Sequence, residues 1–366
     1  MGRQRLPRSF VTALSALRRE GMDASIREKA RERMKGYCRV CPQCDGRACA
    51  GEVPGMGGLG TGAAFRANVE ALRRVRFAMR CLHGVVTPRT ETELLGLKLA
   101  LPVLAAPIGG VSFNMGGDGV TEEQYAEAVI EGSRAAGIVG CGGDGVGDFI
   151  HEAAFAAIHK AGGWGIPFVK PWDGDELNVK LDKALATGCA VVGMDVDAAG
   201  LVTLRKQGRP VSPKTPAELA AVAERVHRGG AKFLIKGVMT VADAEVALDA
   251  GVDALVVSNH GGRVLDHTPG TAEALPRVAA FVRGRVPVLV DGGVRDGADV
   301  LKMLAMGAAA VLIGRPFSIA AVGGLTEGVA AYVEDLKASL LSAMTLTACP
   351  DVASAGLRLL ACGDDA

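Results

Sequence analysis

Eight short apolar runs recur between residues 101 and 316, and they constrain the fold more than any other feature of the chain. Each run is rich in valine, isoleucine, leucine or alanine and ends at or beside glycine, proline, aspartate or another polar residue. Continuous rather than alternating apolarity is typical of parallel strands buried on both faces. The runs are "LPVLAAPI" (101–108), "AGIVGCGGD" (136–144), "GIPFVKPW" (165–172), "CAVVGMDVD" (189–197), "AKFLIKGV" (231–238), "ALVVSNH" (254–260), "PVLVDGG" (287–293) and "AVLIGRP" (310–316).

Helical patterns lie between several of these runs. Many of them open with threonine or aspartate and close on glycine, which are common helix caps. Eight strand–helix units predict an α/β fold, a (β/α)₈ TIM barrel. The alternative is an open, doubly wound parallel sheet. The clearest helical segments are 121–137, 175–188, 215–230, 240–251 and 296–308.

The barrel is expected to occupy residues 91–366, and residues 1–90 are expected to form a helical, Cys/Gly-rich segment that covers it. Helices are predicted to start near Asp23 and around "FRANVEALRRVRF" (65–77). After the last strand, apolar residues at helical spacing predict a closing helix that packs on the barrel. They are Val329, Tyr332, Val333, Leu336, Leu340 and Met344.

Charge and composition exclude several classes of protein. The formal net charge is +1, from 41 basic and 40 acidic residues, so no nucleic-acid or anionic-membrane surface is indicated. No apolar stretch is expected to reach the roughly 18 residues needed to cross a bilayer. Nine cysteines make an odd number, and no export signal is evident, so a disulfide framework is not expected. We expect a cytoplasmic enzyme with a small-molecule substrate.

Polar residues gather where the predicted strands end, which is where TIM barrels carry their chemistry. In "VVSNHGGRVLDH" (256–267), His260 can exchange a proton near neutral pH, and Arg263 can bind a carboxylate through two hydrogen bonds. Glycines between them allow close approach of a ligand. The other polar residues at strand ends are Lys170, Asp195, Asp197, Lys236, Ser258, Asp291 and Arg315.

The last two strands both end in glycine near arginine, in "DGGVRDGADV" (291–300) and "GAAAVLIGRPF" (307–317). Backbone N–H groups at such glycines, together with Arg295 and Arg315, predict a phosphate site at the position where TIM barrels commonly have one. The alternative is that the glycines only form the turns between strands and helices.

These motifs carry a family resemblance. "LIKG" (234–237), "VVSNHGGRVLD" (256–266) and "VPVLVDGGVRDGADVLKMLAMGAAAVLIGRPF" (286–317) resemble the FMN-dependent α-hydroxy-acid oxidase and dehydrogenase family. The match is dense from about 231 to 320 and looser from 65 to 200. The resemblance implies an FMN-dependent oxidoreductase that converts a small 2-hydroxy acid to the 2-oxo acid by hydride transfer to the flavin. It also implies a homo-oligomer.

The resemblance implies roles for individual residues. His260 would be the catalytic base, oriented by Asp197, and Arg263 would bind the substrate carboxylate. Lys236 would lie beside flavin N1 and O2 and favour the anionic reduced flavin. Ala106, Pro107 and Ile108 would lie along the flavin and Ser258 at its ring system, and Asp291 would bind the ribityl chain. The remaining cofactor positions would be Gly261, Gly292, Gly293, Arg295, Gly314 and Arg315.

The sequence departs from this family where the substrate should bind. The family's tyrosine at the end of the third strand is missing, and Lys170 or Val169 stands there. Asp195 replaces a common threonine, and Arg205 is displaced from the place of a second substrate arginine. Tyr37 is expected to stand in for the family's N-terminal substrate tyrosine. Cofactor binding is therefore expected to be intact and substrate handling altered.

A second departure is the cysteine spacing C-x₂-C-x₂-C-x₄-C, formed by Cys38, Cys41, Cys44 and Cys49. Closely spaced thiolates can hold an iron–sulfur cluster or zinc. A cluster near the flavin could accept its electrons and make the enzyme a dehydrogenase rather than an oxidase. The alternative is a loop of free, redox-active thiols.

Two other functions are compatible with the sequence. One is a non-redox FMN isomerase resembling the type 2 isopentenyl diphosphate isomerases, for which the missing tyrosine leaves room. The other is an FMN-binding or electron-transfer barrel without hydroxy-acid turnover. Reduction of the flavin by substrate alone would distinguish the oxidoreductase from both.

Overall fold

The structure, a computed structural model, describes residues 23–50, 56–116, 119–209 and 211–361. The first 22 residues of the expected N-terminal segment lie outside these ranges. The boundary expected at residue 90 between the segment and the barrel stays a prediction.

All eight apolar runs form the strands of one closed parallel barrel, so the predicted (β/α)₈ fold is confirmed and the open sheet is wrong. Neighbouring strands follow chain order, and β10 closes the barrel by pairing with β3 through Val311 and Val103. The barrel strands are β3 (Val103–Ile108), β4 (Val139–Gly142), β5 (Ile166–Val169), β6 (Val191–Asp195), β7 (Lys232–Val238), β8 (Ala254–Val257), β9 (Val288–Val290) and β10 (Ala310–Ile313).

Both faces of these strands are buried, which explains their continuous apolarity. Leu104 lies in the barrel interior, whereas its neighbours Val103 and Ala105 face the surrounding helices. The same alternation in the other strands fills the interior with side chains, as expected for an eight-stranded barrel. The larger interior side chains are Leu104, Val139, Ile166, Phe168, Val191, Leu234, Val256, Leu289 and Leu312.

Helices surround the barrel within the described ranges. The five segments that the sequence singled out are confirmed as α4, α6, α8, α9 and α11, and α5 and α10 complete the ring. The helices are α1 (Ala24–Arg33), α2 (Ala63–Arg74), α3 (Val111–Asn114), α4 (Glu122–Ala135), α5 (Asp148–Lys160), α6 (Asp175–Leu185), α7 (Val202–Lys206), α8 (Pro216–Arg228), α9 (Val241–Asp249), α10 (Thr271–Val282), α11 (Gly297–Ala305) and α12 (Arg315–Leu346).

The closing helix is the second half of α12. Leu325 has φ 49° and ψ −139°, which breaks α12 into a short helix after β10 and the predicted closing helix. Every residue of the predicted apolar stripe is buried there. Helix α12 is long and apolar enough to cross a membrane by length and composition, but 67% of its most apolar window is buried inside the protein. It is therefore a core helix of this fold.

The elements before the barrel cover it at two places. A hairpin of β1 (Thr92–Leu94) and β2 (Leu97–Leu99), not expected from the sequence, inserts Leu94 and Leu99 into the interior cluster and covers the barrel's N-terminal end. Helix α1 packs on α12, and α2 packs beside the turn that follows β8. Both α1 and α2 agree with the predicted helices near Asp23 and residue 65. The loop before α2 reaches the catalytic end of the barrel, where Leu59 N donates to the carbonyl of Gly262.

Candidate active site

Charged side chains meet at the C-terminal ends of β6, β7 and β9. Because β6 and β7 pair in register, Asp195 lies directly beside Lys236, and Lys236 Nζ is 3.1 Å from Asp195 Oδ1. The same Nζ lies 3.6 Å from Asp291 Oδ2. Burial opposes the charge on Lys236, but the three nearby carboxylates of Asp195, Asp197 and Asp291 outweigh it and raise its pKa. Lys236 is therefore a permanent buried cation.

His260 follows β8 in a short 3₁₀ turn and is presented by an unusual backbone. Its φ of 56° is in the left-handed region, which a non-glycine residue rarely occupies unless the surroundings hold it there. The ring nitrogen Nδ1 lies 2.9 Å from Asp197 Oδ1 in the turn after β6. A hydrogen bond from Nδ1–H to this carboxylate fixes the tautomer and leaves the Nε2 lone pair available. His260 thus has the geometry of a base oriented by a carboxylate.

The electrostatic surroundings keep His260 neutral. Burial, followed by the neighbouring Lys236 ammonium, lowers the pKa of His260 well below its usual 6.5. A neutral imidazole at neutral pH can accept a proton without first losing one. Asp195, Asp197 and His260 have ligand atoms within 4.8 Å of one another, a spacing that could suit a metal ion. The positive charge among them is supplied by Lys236, which approaches both Asp195 and His260.

A cavity runs from the barrel axis across the ends of β3, β9 and β10. Its wall contains nearly all the positions expected to bind FMN. These are Ala106, Pro107, Ile108, Lys236, Gly261, Asp291, Gly292, Gly293, Arg295, Gly314 and Arg315. Ser258 is the exception: it is buried behind the wall, where its hydroxyl accepts a hydrogen bond from His260 N and contacts Asp291.

Two buried polar atoms in this cavity wall fit the expected cofactor. Within the described part of the chain, Asp291 Oδ1 and Arg295 Nε are buried and have no hydrogen-bond partner. A buried acceptor and a buried cationic donor left in this state are costly unless a ligand satisfies them. Ribityl hydroxyls suit Asp291, and a phosphate suits Arg295. The donor set therefore fits FMN.

The phosphate end of the cavity carries an excess of positive charge. Burial lowers the pKa of Arg315 to about 10, and repulsion from Arg263 and Arg295 acts in the same direction. Its Nε donates to the carbonyl of Met56 at 3.0 Å, which draws the segment after the cysteine loop over the site. A dianionic phosphate would relieve the mutual repulsion of these guanidinium groups.

A second cavity meets the first at His260 and Arg263, which line both. Arg263 Nη2 donates to Asn114 Oδ1 at 3.1 Å, and Arg263 Nε is buried with no partner in the described residues. Lys170 lines the second cavity and lies 3.9 Å from Asp195. The second cavity can therefore hold a small anion between Arg263 and Lys170, beside the base.

The position of Lys170 depends on Asp144, which the sequence did not single out. Asp144 accepts hydrogen bonds from Lys170 N at 3.0 Å and from Trp172 Nε1 at 2.6 Å, and Lys180 Nζ approaches it at 2.8 Å. These contacts fix the loop after β5. An aspartate following two glycines after β4 was the available signal in the sequence.

Tyr37, which was expected near the substrate, packs against Gly116 and is not among the residues that line either cavity. Arg205, which was expected to be displaced from the substrate site, is exposed on α7. Residues that the sequence did not indicate complete the walls instead. In the cofactor cavity these are Met56, Asn114, Met115 and Ser318.

The four cysteines of the N-terminal loop are spread more widely than the ligands of a single metal ion. In the described residues, no three cysteine sulfurs lie within 4.8 Å of one another. Cys44 is nevertheless close to the cofactor cavity, since its carbonyl accepts from Arg295 Nη2 at 3.2 Å.

Comparisons with known proteins agree with this geometry. The family model described as FMN-dependent dehydrogenase matches residues 55–225 and 212–361. A peroxisomal (S)-2-hydroxyacid oxidase of Arabidopsis thaliana is 31% identical over 321 residues, covering 78% of this chain and 84% of that protein. A 4-hydroxymandelate oxidase of Amycolatopsis orientalis is 31% identical over 341 residues, covering 84% of this chain and 94% of that protein.

Solved structures give the same result. A crystal structure of mandelate oxidase superimposes with a TM-score of 0.72 and 30% sequence identity, and the match covers 92% of this chain and 97% of that one.

A further sequence relative is an L-lactate oxidase of Lactobacillus jensenii. It is 29% identical over 319 residues, covering 79% of this chain and 75% of that protein.

Proposed function

Because this chain belongs to the FMN-dependent dehydrogenase family and is an FMN-dependent enzyme that oxidises 2-hydroxy acids, we propose that it converts a small 2-hydroxy acid to the 2-oxo acid with His260 as the base. The observation that carries the proposal is the pairing of His260 and Arg263 on the wall shared by both cavities. A base and a carboxylate-binding group are thereby adjacent. The isomerase and the barrel without turnover are set aside.

The residues divide the work as follows. Arg263 binds the substrate carboxylate, and its unpartnered Nε supports this role. His260 Nε2 takes the proton of the 2-hydroxyl while Asp197 stabilises the imidazolium that forms. FMN held in the first cavity would supply a two-electron acceptor for the C2 hydrogen. Lys236 holds a positive charge beside the cofactor, where negative charge develops during the reaction.

Lys170 is the residue we propose to contact the substrate at the position of the family's missing tyrosine. It is supported by its place in the second cavity, where it and Arg263 provide two cations. Burial restricts its motion, because only 9% of its side chain is exposed. We expect this cavity to select small acids, since the loop after β5 is fixed by Asp144.

Anaerobic titration tests the proposed function. Glycolate, L-lactate and (S)-mandelate are added to the FMN-loaded protein, and bleaching of the flavin absorption is expected with at least one of them. His260→Gln should retain FMN but reduce it at least about 10²-fold more slowly. His159→Gln, on the exposed surface of α5, is the matched control and should behave like the wild type. Undiminished reduction in His260→Gln would remove His260 from the mechanism.

We further propose that the enzyme works in the cytoplasm as a homo-oligomer. All eight cysteines in the described residues are free thiols, which suits a reducing compartment. Met79, Leu82 and Val86 are 70%, 95% and 83% exposed, an arrangement typical of a surface covered by another subunit. Cell fractionation tests the compartment. Light scattering should give the mass of a dimer or larger assembly, and a monomer would contradict the proposal.

A further inference from the structure

The four cysteines before the barrel have no role in the proposed oxidation as described above, yet they occur together. Cys38, Cys41, Cys44 and Cys49 are half-buried free thiols on one loop. Cys38 Sγ accepts a hydrogen bond from Val40 N at 3.4 Å, and Cys44 Sγ lies 3.7 Å from Arg295 Nη2. The four thiols therefore belong to one short, folded loop.

The backbone of this loop is held by cations from α1. Arg27 donates to the carbonyls of Val40 and Cys41, and Arg31 donates to those of Arg39 and Val40. Val40 is fully buried at a φ of 45°, so tertiary contacts impose its backbone conformation. The loop is consequently a preformed arrangement and not a solvated connection.

Other cations face the cysteines from the barrel. Arg295 Nη2 lies 3.7 Å from Cys44 Sγ and 3.2 Å from the Cys44 carbonyl. Arg315 is close enough for Cys44 and Cys49 to act on its charge. Thiolates are the metal-binding form of cysteine, and grouped thiolates need compensating positive charge. The loop provides four thiols between two sets of guanidinium groups.

The spread of the sulfurs distinguishes between metals. Zinc binds thiolates at about 2.3 Å in a tetrahedron, which places its sulfurs about 3.8 Å apart. In the described residues no three cysteine sulfurs lie within 4.8 Å of one another, so this loop is wider than a zinc site. An iron–sulfur cluster distributes its four thiolates over several irons and needs the wider spread. The C-x₂-C-x₂-C start of the motif is also the spacing of cluster-binding runs.

We infer that Cys38, Cys41, Cys44 and Cys49 ligate a [4Fe–4S] cluster, a second prosthetic group beside the phosphate end of the cofactor cavity. Arg27 and Arg31 on one side and Arg295 on the other balance its negative charge. The cluster would also fasten the cysteine loop to the barrel, because Arg295 contacts both. The inference does not depend on which hydroxy acid the enzyme oxidises.

Metal analysis tests the inference. The full-length protein is purified anaerobically, reconstituted with iron and sulfide, and analysed for iron, acid-labile sulfide, zinc and FMN. We expect about four irons and four sulfides per chain, and an electron paramagnetic resonance signal after reduction with dithionite. Cys41→Ala and Cys44→Ala should lose at least half of the iron and the signal. Cys81→Ser, an exposed cysteine outside the loop, is the control and should keep both.

The outcomes separate the cluster from its alternatives. FMN content reports that the barrel of each variant is folded, so loss of iron with FMN retained supports the inference. One zinc per chain, or reconstituted FMN-loaded protein without iron, would overturn it. Iron retained in both alanine variants would overturn it as well. None of these measurements uses a substrate, so failure of the proposed oxidation would leave the result unaffected.

Discussion

At the scale of single residues, the site keeps one of two neighbouring groups, Lys236, charged and the other, His260, neutral. Lys236 stays charged because carboxylates surround it, whereas burial, followed by repulsion from the same ammonium, keeps His260 neutral. One buried lysine therefore supports the neutral state of the base and supplies positive charge at the cofactor. The Asp197 hydrogen bond then selects which ring nitrogen reacts.

The acid limb of the pH profile should lie lower than for an ordinary histidine. Protonation of His260 abolishes its function as a base, and its pKa in the folded protein is well below 6.5. The rate of flavin reduction should accordingly stay constant as the pH is lowered through 6.5 and fall only below it. Rapid-mixing absorbance measurements under anaerobic conditions give this profile. A limb at or above pH 6.5 would contradict the electrostatic argument.

The control for this pH profile should replace a lysine outside the cofactor cavity, which Lys236 lines. A suitable comparison is Lys232→Met, at the exposed start of the same strand. Its acid limb should coincide with that of the wild type.

At the scale of elements, the end of β7 is shaped by a close contact with the turn after β6. Gly237 has a φ of 115°, and a Cβ there would lie 2.6 Å from the Cβ of Asp197. Glycine is therefore needed both for its backbone conformation and for the approach of the carboxylate. Gly237 is the last residue of the sequence motif "LIKG", so this close contact explains the glycine of the motif.

Gly237→Ala should displace Asp197, and it should therefore slow flavin reduction as well as destabilise the protein. We expect a loss of about 1–3 kcal/mol in stability from backbone strain and a loss of at least about 10-fold in the rate of flavin reduction. Gly251→Ala has a similar positive φ of 80° but no atom within 4 Å of its Cβ. It isolates the strain, so its melting temperature should fall while its rate of flavin reduction is unchanged. Equal rates in the two variants would exclude the contact with Asp197.

The sequence predicted the barrel elements well because each is defined by a local pattern. Eight continuous apolar runs gave eight strands, and capped amphipathic segments gave five of the surrounding helices. The β1–β2 hairpin was missed because three-residue strands are too short to show a period. Helix α5 has Gly147 at its N-cap, which offers no side-chain hydrogen bond, and α10 contains Pro276, so the usual signals were weak.

The site was predictable where one motif carries several of its residues and less so where distant segments meet. His260, Gly261 and Arg263 come from one run and line one cavity together. Met56 and Asn114 reach the same cavity from segments that carry no recognisable signal, because long-range packing places them. Tyr37 was expected, from the family resemblance, to stand in for an N-terminal substrate tyrosine, but it packs against Gly116.

At the scale of the whole molecule, the N-terminal segment and the loop after β8 are bound to each other across the top of the barrel. Asp266 accepts hydrogen bonds from Thr61 N at 2.6 Å, from Thr61 Oγ1 at 2.8 Å and from Ala64 N at 3.1 Å. Asn68 and Asn259 exchange side-chain hydrogen bonds nearby. Burial opposes ionisation of Asp266, but these hydrogen bonds prevail and lower its pKa. The carboxylate therefore stabilises the folded state at neutral pH.

Asp266→Ala should loosen the segment that covers the cofactor cavity. Loss of a carboxylate at the start of α2 should cost about 1–2 kcal/mol in stability and increase the rate at which FMN dissociates. Thermal unfolding and the return of flavin fluorescence on dilution measure the two effects. Asp249→Ala, at the end of α9, is a control of the same chemistry away from the site. FMN dissociation as slow as in the wild type would show that the cover does not depend on Asp266.

The way the barrel closes has a consequence for the order of events during synthesis. Strand β10 pairs with β3, and Arg315 at its end contacts Met56, which lies 259 residues earlier in the chain. A ribosome adds about 5–20 residues per second, so many seconds separate the synthesis of Met56 from that of Arg315. The nascent chain cannot hold FMN through its phosphate arginines until nearly all of it has been made. Cofactor capture is therefore a late event, and a chain truncated before β10 would be released without its flavin.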